Sequence, residues 1–138
     1  LCHENEKGIY GDTAARCLEI HKALPEIRAV FDPANFVQCG QDTKEAWELI
    51  GPYVEYMHIK DALPNGTVVP AGKGAGNLEY LLNRYKGEVV TIEPHLSVFE
   101  GFDKLEAESK SKLGEYCYPD SMTAFAAAVN ALKDIIGR

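Results

Sequence analysis

Four short runs of mostly apolar residues each end on a residue that can bind a divalent metal. Glu4 follows Leu1-Cys2-His3, Asp32 follows Arg28-Ala29-Val30-Phe31, His58 follows Val54-Glu55-Tyr56-Met57, and Glu93 follows Val89-Val90-Thr91-Ile92. Each run gives way to a loop and then to a stretch of helical character. A strand that stops at a ligand and hands over to a helix is how a parallel α/β fold aims side chains from several strand ends into one shared site. Pro33 and Pro94 stand directly after Asp32 and Glu93, so neither strand can run past its carboxylate. Three carboxylates and one imidazole suit Mn²⁺, Mg²⁺, Co²⁺ or Zn²⁺: oxygen favours the harder ions, and one histidine keeps the borderline ones in play.

The units between these points are regular. Asp12 or Thr13 is placed to cap a helix over Ala14 to Ala23, with Cys17, Leu18 and Ile20 on its inner face and His21 on its outer side. A strand is expected from Ile27 to Phe31, then a loop through Gly40. Asp42-Thr43 caps a helix from Lys44 to Ile50 that Gly51-Pro52 ends, and a third strand runs from Val54 to Ile59. Asn65-Gly66 and Gly72 to Gly76 read as a long flexible loop over the mouth of the fold. Asn77 then caps a helix from Leu78 to Tyr85, and a fourth strand covers Glu88 to Ile92. A charged stretch from Ser97 to Pro119 predicts a short helix inside a long loop. Ser121 caps a last helix with Phe125, Val129, Leu132 and Ile136 at helical spacing and Gly137 as its stop. No hairpin signal is read anywhere. Strands alternating with helices predict a parallel sheet with every strand C-terminus on one edge.

At 138 residues the chain is one domain, against domain sizes of roughly 100 to 200 residues. A formal net charge of −7 argues against a nucleic-acid partner, because phosphate binding is driven by lysine and arginine. Cys2, Cys17, Cys39 and Cys117 lack metal-type spacing and are expected to be buried free thiols in a reducing compartment, the cytoplasm. No apolar run approaches the roughly 20 residues of a membrane helix, and no signal peptide is visible. The chain opens on Leu1 inside a strand. Residues 1–138 are therefore expected to be four βα units from a longer polypeptide, half of a (β/α)₈ barrel whose complete form needs about 250 residues.

The stretches Glu4-Asn5, Phe31-Asp32-Pro33-Ala34-Asn35, His58-Ile59-Lys60-Asp61, Val69-Pro70-Ala71-Gly72-Lys73-Gly74 and Ile92-Glu93-Pro94, in this order, resemble the C-terminal half of a sugar phosphate isomerase/epimerase of the xylose isomerase-like TIM-barrel superfamily. The resemblance implies that Glu4, Asp32, His58 and Glu93 are metal ligands, that Glu4 and Glu93 are the acid/base pair, and that the missing N-terminal half completes the barrel. The chain departs from the ketose 3-epimerase pattern, with Tyr10, Asn35 and Val68 or Val69 where those enzymes carry glutamate, histidine and arginine. Asn35, Lys60 and Lys73 are then the candidates to bind a sugar or polyol, phosphorylated or not.

Such a site moves a proton between adjacent carbons of a sugar through an enediolate, which a divalent cation stabilises. An inosose-type dehydratase would use the same centre but expel a hydroxide from the next carbon. An endonuclease IV-like enzyme would need more zinc ligands and a basic groove. Lys60-Asp61 reads as a pair that orients a ligand or as a surface ion pair. His3 and His95 read as exposed loop residues. The two open sheet edges of a half-barrel predict a homodimer closing an eight-stranded barrel. Without the residues of the other half, the fragment is expected to turn over no substrate by itself.

Overall fold

The computed structural model describes residues 1–97 and 116–137. Its centre is a four-stranded parallel sheet of β1 (Cys2–Glu4), β2 (Arg28–Phe31), β3 (Val54–Ile59) and β6 (Val90–Ile92), side by side in that order. Glu4 stands opposite Val30, Phe31 opposite Met57, and Ile59 opposite Ile92. Because all neighbours are parallel, all four C-terminal ends lie on one edge, and that edge carries the expected ligands.

Helices α1 (Ala14–Ala23) and α3 (Thr43–Ile50) pack beside each other. They contribute Ala14, Cys17, Ala46 and Ile50 to a core that also holds Phe31, Phe36, Met57 and Leu81. Asp42 caps α3 as expected, its carboxylate accepting from the Lys44 and Glu45 amides. A second cluster joins Ile59, Ala71 and Leu78 to Leu132, so α4 (Leu78–Leu82) and α5 (Ser121–Ile136) cover the far end of the sheet.

Several expectations are corrected. The loop expected after Asp32 is a helix, α2 (Pro33–Gln38); Pro33 both stops the strand and opens the helix, since the first helical residue needs no free N–H. A two-stranded antiparallel pair, β4 (Asp61–Ala62) and β5 (Val68–Val69), forms where no hairpin is read. Asn65-Gly66 lies in the connection between them. Asp120, not Ser121, caps α5 through the Thr123 amide. The buried face of α5 is Ala124, Ala128 and Leu132, while Phe125 and Ile136 are 47% and 44% exposed. Only Cys17 is a buried thiol; Cys2 and Cys117 are exposed and all four cysteines are free. The short helix expected between Ser97 and Pro119 falls largely outside the described residues. No helix among the described residues is long and apolar enough to cross a membrane.

Candidate metal centre

Each expected ligand comes from the end of its strand. Glu4 is the last residue of β1, His58 the penultimate residue of β3, and Asp32 and Glu93 directly follow β2 and β6. Donor atoms of all four lie within 4.8 Å of one another. The His58 imidazole is the hub. Its Nδ1 is 3.0 Å from Glu4 Oε1, 3.5 Å from Glu93 Oε2 and 3.7 Å from Asp32 Oδ2. These separations match donor–donor edges of about 3 to 3.5 Å around an ion with bonds near 2.1 Å. Asp32 is wholly buried, and its Oδ1 is engaged by the Asn35 amide at the start of α2. Its Oδ2 receives no hydrogen bond. This buried oxygen stands among two glutamates and an imidazole and already meets one cation, the Lys60 ammonium, at 2.8 Å, an environment that favours positive charge.

Lys60 is the residue whose place the sequence reveals least. It is 6% exposed, and its Nζ lies 2.8 Å from both Asp32 Oδ2 and Glu93 Oε2. The contact with Glu93 is a hydrogen bond; the contact with Asp32 is an ion pair without hydrogen-bond alignment. Lys60 does not pair with Asp61, so the pairing expected between the two neighbours is corrected. Asp61 faces away and accepts from the amides of Ala62, Gly72, Gly74 and Gly76, which ties down the loop expected to be flexible.

Charge follows from this crowding. Asp32, Glu4 and Glu93 push the His58 imidazole up to about 11. His58 first, then His95 and Lys60, hold Glu93 well below the usual carboxylate range. Burial alone would discharge Lys60, yet Asp32 and Glu93 keep its ammonium above the ordinary value. Among the other candidates, Asn35 is buried, with its Nδ2 on the Asn5 carbonyl and near Glu4 Oε1. Lys73 is exposed and lines a cleft of about 760 Å³ with Asp134 and Tyr80. His95 is exposed as expected, with Nε2 3.5 Å from Glu93 Oε1. His3 and His21 are not: the His3 Nε2 is buried, and His21 is 1% exposed.

No family model and no curated protein matches the chain. Solved structures do. The IOLI protein with a bound zinc atom aligns at a TM-score of 0.66 and 19% identity, over 99% of this chain and 48% of that one. The xylose isomerase domain protein from Planctomyces limnophilus aligns at 0.54 and 21%, over 100% and 48%. The fold is half of a (β/α)₈ TIM barrel. This half-barrel also resembles the probable 3-DHS dehydratase AsbF of Bacillus anthracis, involved in petrobactin synthesis, at a TM-score of 0.55 and 19% identity over 81% and 48%. The chain spans about half the length of each of these structures. Within the half-barrel, these four residues stand at the C-terminal edge of the strands, where TIM barrels hold their active sites.

Proposed function

We propose that this half-barrel is the C-terminal, metal-holding half of a divalent-metal-dependent isomerase or epimerase for a sugar or polyol, with Glu4 and Glu93 as acid and base. The convergence of Glu4, Asp32, His58 and Glu93 within 4.8 Å carries the reading. A divalent cation bound there would polarise adjacent carbonyl and hydroxyl oxygens and lower the energy of an enediolate. The chain's own groups do the rest. Glu4 and Glu93 come from the first and last strands of the sheet, so they flank the site from opposite sides. One can take a proton from a carbon while the other returns it at the neighbouring carbon or the opposite face. Lys60, Asn35 and Lys73 remain the proposed polar contacts for sugar hydroxyl or phosphate oxygens, and the cytoplasm is the proposed compartment.

In the complete protein, Glu93→Gln should fold normally and lose about 10²- to 10⁴-fold in turnover; near-full turnover would reject the assignment. The likeness to a probable dehydratase favours a second reading, a lyase on the same centre. Product analysis over a panel of ketoses and inososes separates the two, since the lyase releases water and an unsaturated or deoxy product. Among the described residues β1 and β6 each have one unpaired edge. Two copies can therefore pair β1 to β6 twice and close an eight-stranded barrel. A stable monomer by light scattering at micromolar concentration would reject that homodimer.

A further inference from the structure

The ladder between β1 and β2 ends with Glu4 opposite Val30, and beyond it a side chain takes over from the backbone. Asn5 accepts from the Asp32 amide at Oδ1 and donates from Nδ2 to the Asp32 carbonyl, both at 2.8 Å. A carboxamide holds donor and acceptor in one plane as a peptide group does. Asn5 thus adds one more rung to the parallel pair, placed on the residue that carries a proposed ligand. Asn35 extends the link: its Nδ2 donates to the Asn5 carbonyl at 3.0 Å and reaches Glu4 Oε1 at 3.4 Å, and its amide donates to Asp32 Oδ1 at 2.9 Å. Both asparagines are 1% exposed.

We infer that Asn5 is a positioning residue of the metal centre: it fixes the backbone of Asp32 and, through Asn35, the carboxylate of Glu4, so that two carboxylates stand at coordination distance before an ion arrives. The inference rests on the metal-site reading above. Asn5 lies beyond β1, and the cap of α2 is made by the Asp32 side chain without it. Removing the carboxamide leaves the buried Asp32 N–H without a partner and its C=O with only the long 3.5 Å bond from the Phe36 amide, and the slack falls on the ligand set. Partners of this kind behind the ligands typically govern affinity by about 10- to 100-fold.

The test is Mn²⁺ and Co²⁺ binding by calorimetry, with the visible spectrum of the Co²⁺ form, for the parent chain, Asn5→Ala and Asn35→Ala. Asn5→Ala should weaken binding by about 10- to 100-fold and shift the Co²⁺ bands, because the ligand geometry changes. Asn35→Ala should move both in the same direction by less, and it decides the matter where Asn5→Ala fails to fold. Affinity within about threefold of the parent and an unchanged spectrum, in a variant that still unfolds cooperatively, would overturn the inference. A parent chain that binds neither ion overturns the metal reading and this inference together; a parent that binds while the variants match it overturns this inference alone.

Discussion

Gly74 lies so close against Asp61 that a Cβ added to it would collide with Asp61 Oδ1 and with the Ala62 carbonyl oxygen. The relationship is reciprocal. Asp61 is fully buried, and its Oδ2 accepts from the Gly72 and Gly74 amides while Oδ1 accepts from Gly76 and Ala62. A carboxylate has lone pairs for four donors, and the glycine-rich stretch supplies three of them by closing around it. Asp61 is two residues from Lys60's own neighbour Ile59 and three from His58, so the loop is anchored to the strand that delivers the imidazole.

Gly74→Ala should destabilise the fold by about 1 to 3 kcal/mol, because the opposing atoms include backbone that cannot step aside. Gly72→Ala meets only the end of Ile135 at 3.3 Å but sits at φ +80°, so its penalty is conformational. Asp61→Asn replaces an acceptor oxygen with a donor facing amide N–H groups and should cost a similar amount. Urea unfolding of the three variants measures this, and a Gly74→Ala midpoint equal to the parent's would contradict it.

Lys60→Met should destabilise the metal-free protein by about 3 kcal/mol, since it takes from the buried Asp32 carboxylate the closer of two cationic partners and leaves it the His58 imidazolium at 3.7 Å. A divalent cation supplies that charge from the other side. The Tm gap between Lys60→Met and parent should therefore narrow when Mn²⁺ is added, and scanning calorimetry with and without the ion reads it. A gap that widens with the ion would reject the role given to Lys60 as countercharge.

His58 sets the pH response of metal binding. Its pKa is raised from 6.5 to about 11 by Asp32, Glu4 and Glu93, so the metal-free fold gains stability that is fully present below about pH 6.5 and fades as pH rises through about 11. Coordination through Nδ1 requires the neutral ring. Each ion bound near neutral pH should release about one proton, and apparent affinity should rise about tenfold per pH unit. Titrations in two buffers of different ionisation enthalpy count that proton; a count near zero means that His58 is not a ligand.

The convergence of Glu4, Asp32, His58 and Glu93 is legible because strand ends are. A run of β-formers that meets a ligand and then a proline leaves few conformations open, and Pro33 and Pro94 mark two of the four positions. Asp42 was equally readable as a cap. Short elements were not: β4 and β5 are two residues each, too brief for alternation to register, although Asn65-Gly66 is a hairpin dipeptide. On α5, alanines at 124 and 128 face the core and Phe125 does not, because small side chains let the helix approach Leu96 closely. Lys60 and Asn5 gave no sign of their partners, since those contacts span 27 residues or more in the chain and carry no local period.

His21 lies on the buried face of α1, not on the outer side that the sequence suggests. Leu18 and Ile20 drew the apolar face toward themselves, while the buried line is Ala14, Cys17 and His21. The His21 ring stacks on Tyr53 at 5.0 Å and meets His3 edge-on at 5.6 Å, and neither of its nitrogens has a hydrogen-bond partner. Burial first, then the neighbouring His3, lowers its pKa below 6.5. The folded protein therefore holds His21 neutral while the unfolded chain protonates it near pH 6.5, so stability is intact above that pH and declines as pH falls toward the folded value. His21→Leu removes the titrating group and keeps an apolar side chain of similar reach. The variant should lose less Tm between pH 7.5 and pH 5 than the parent does, and a parallel loss in both would show that the acid sensitivity lies elsewhere.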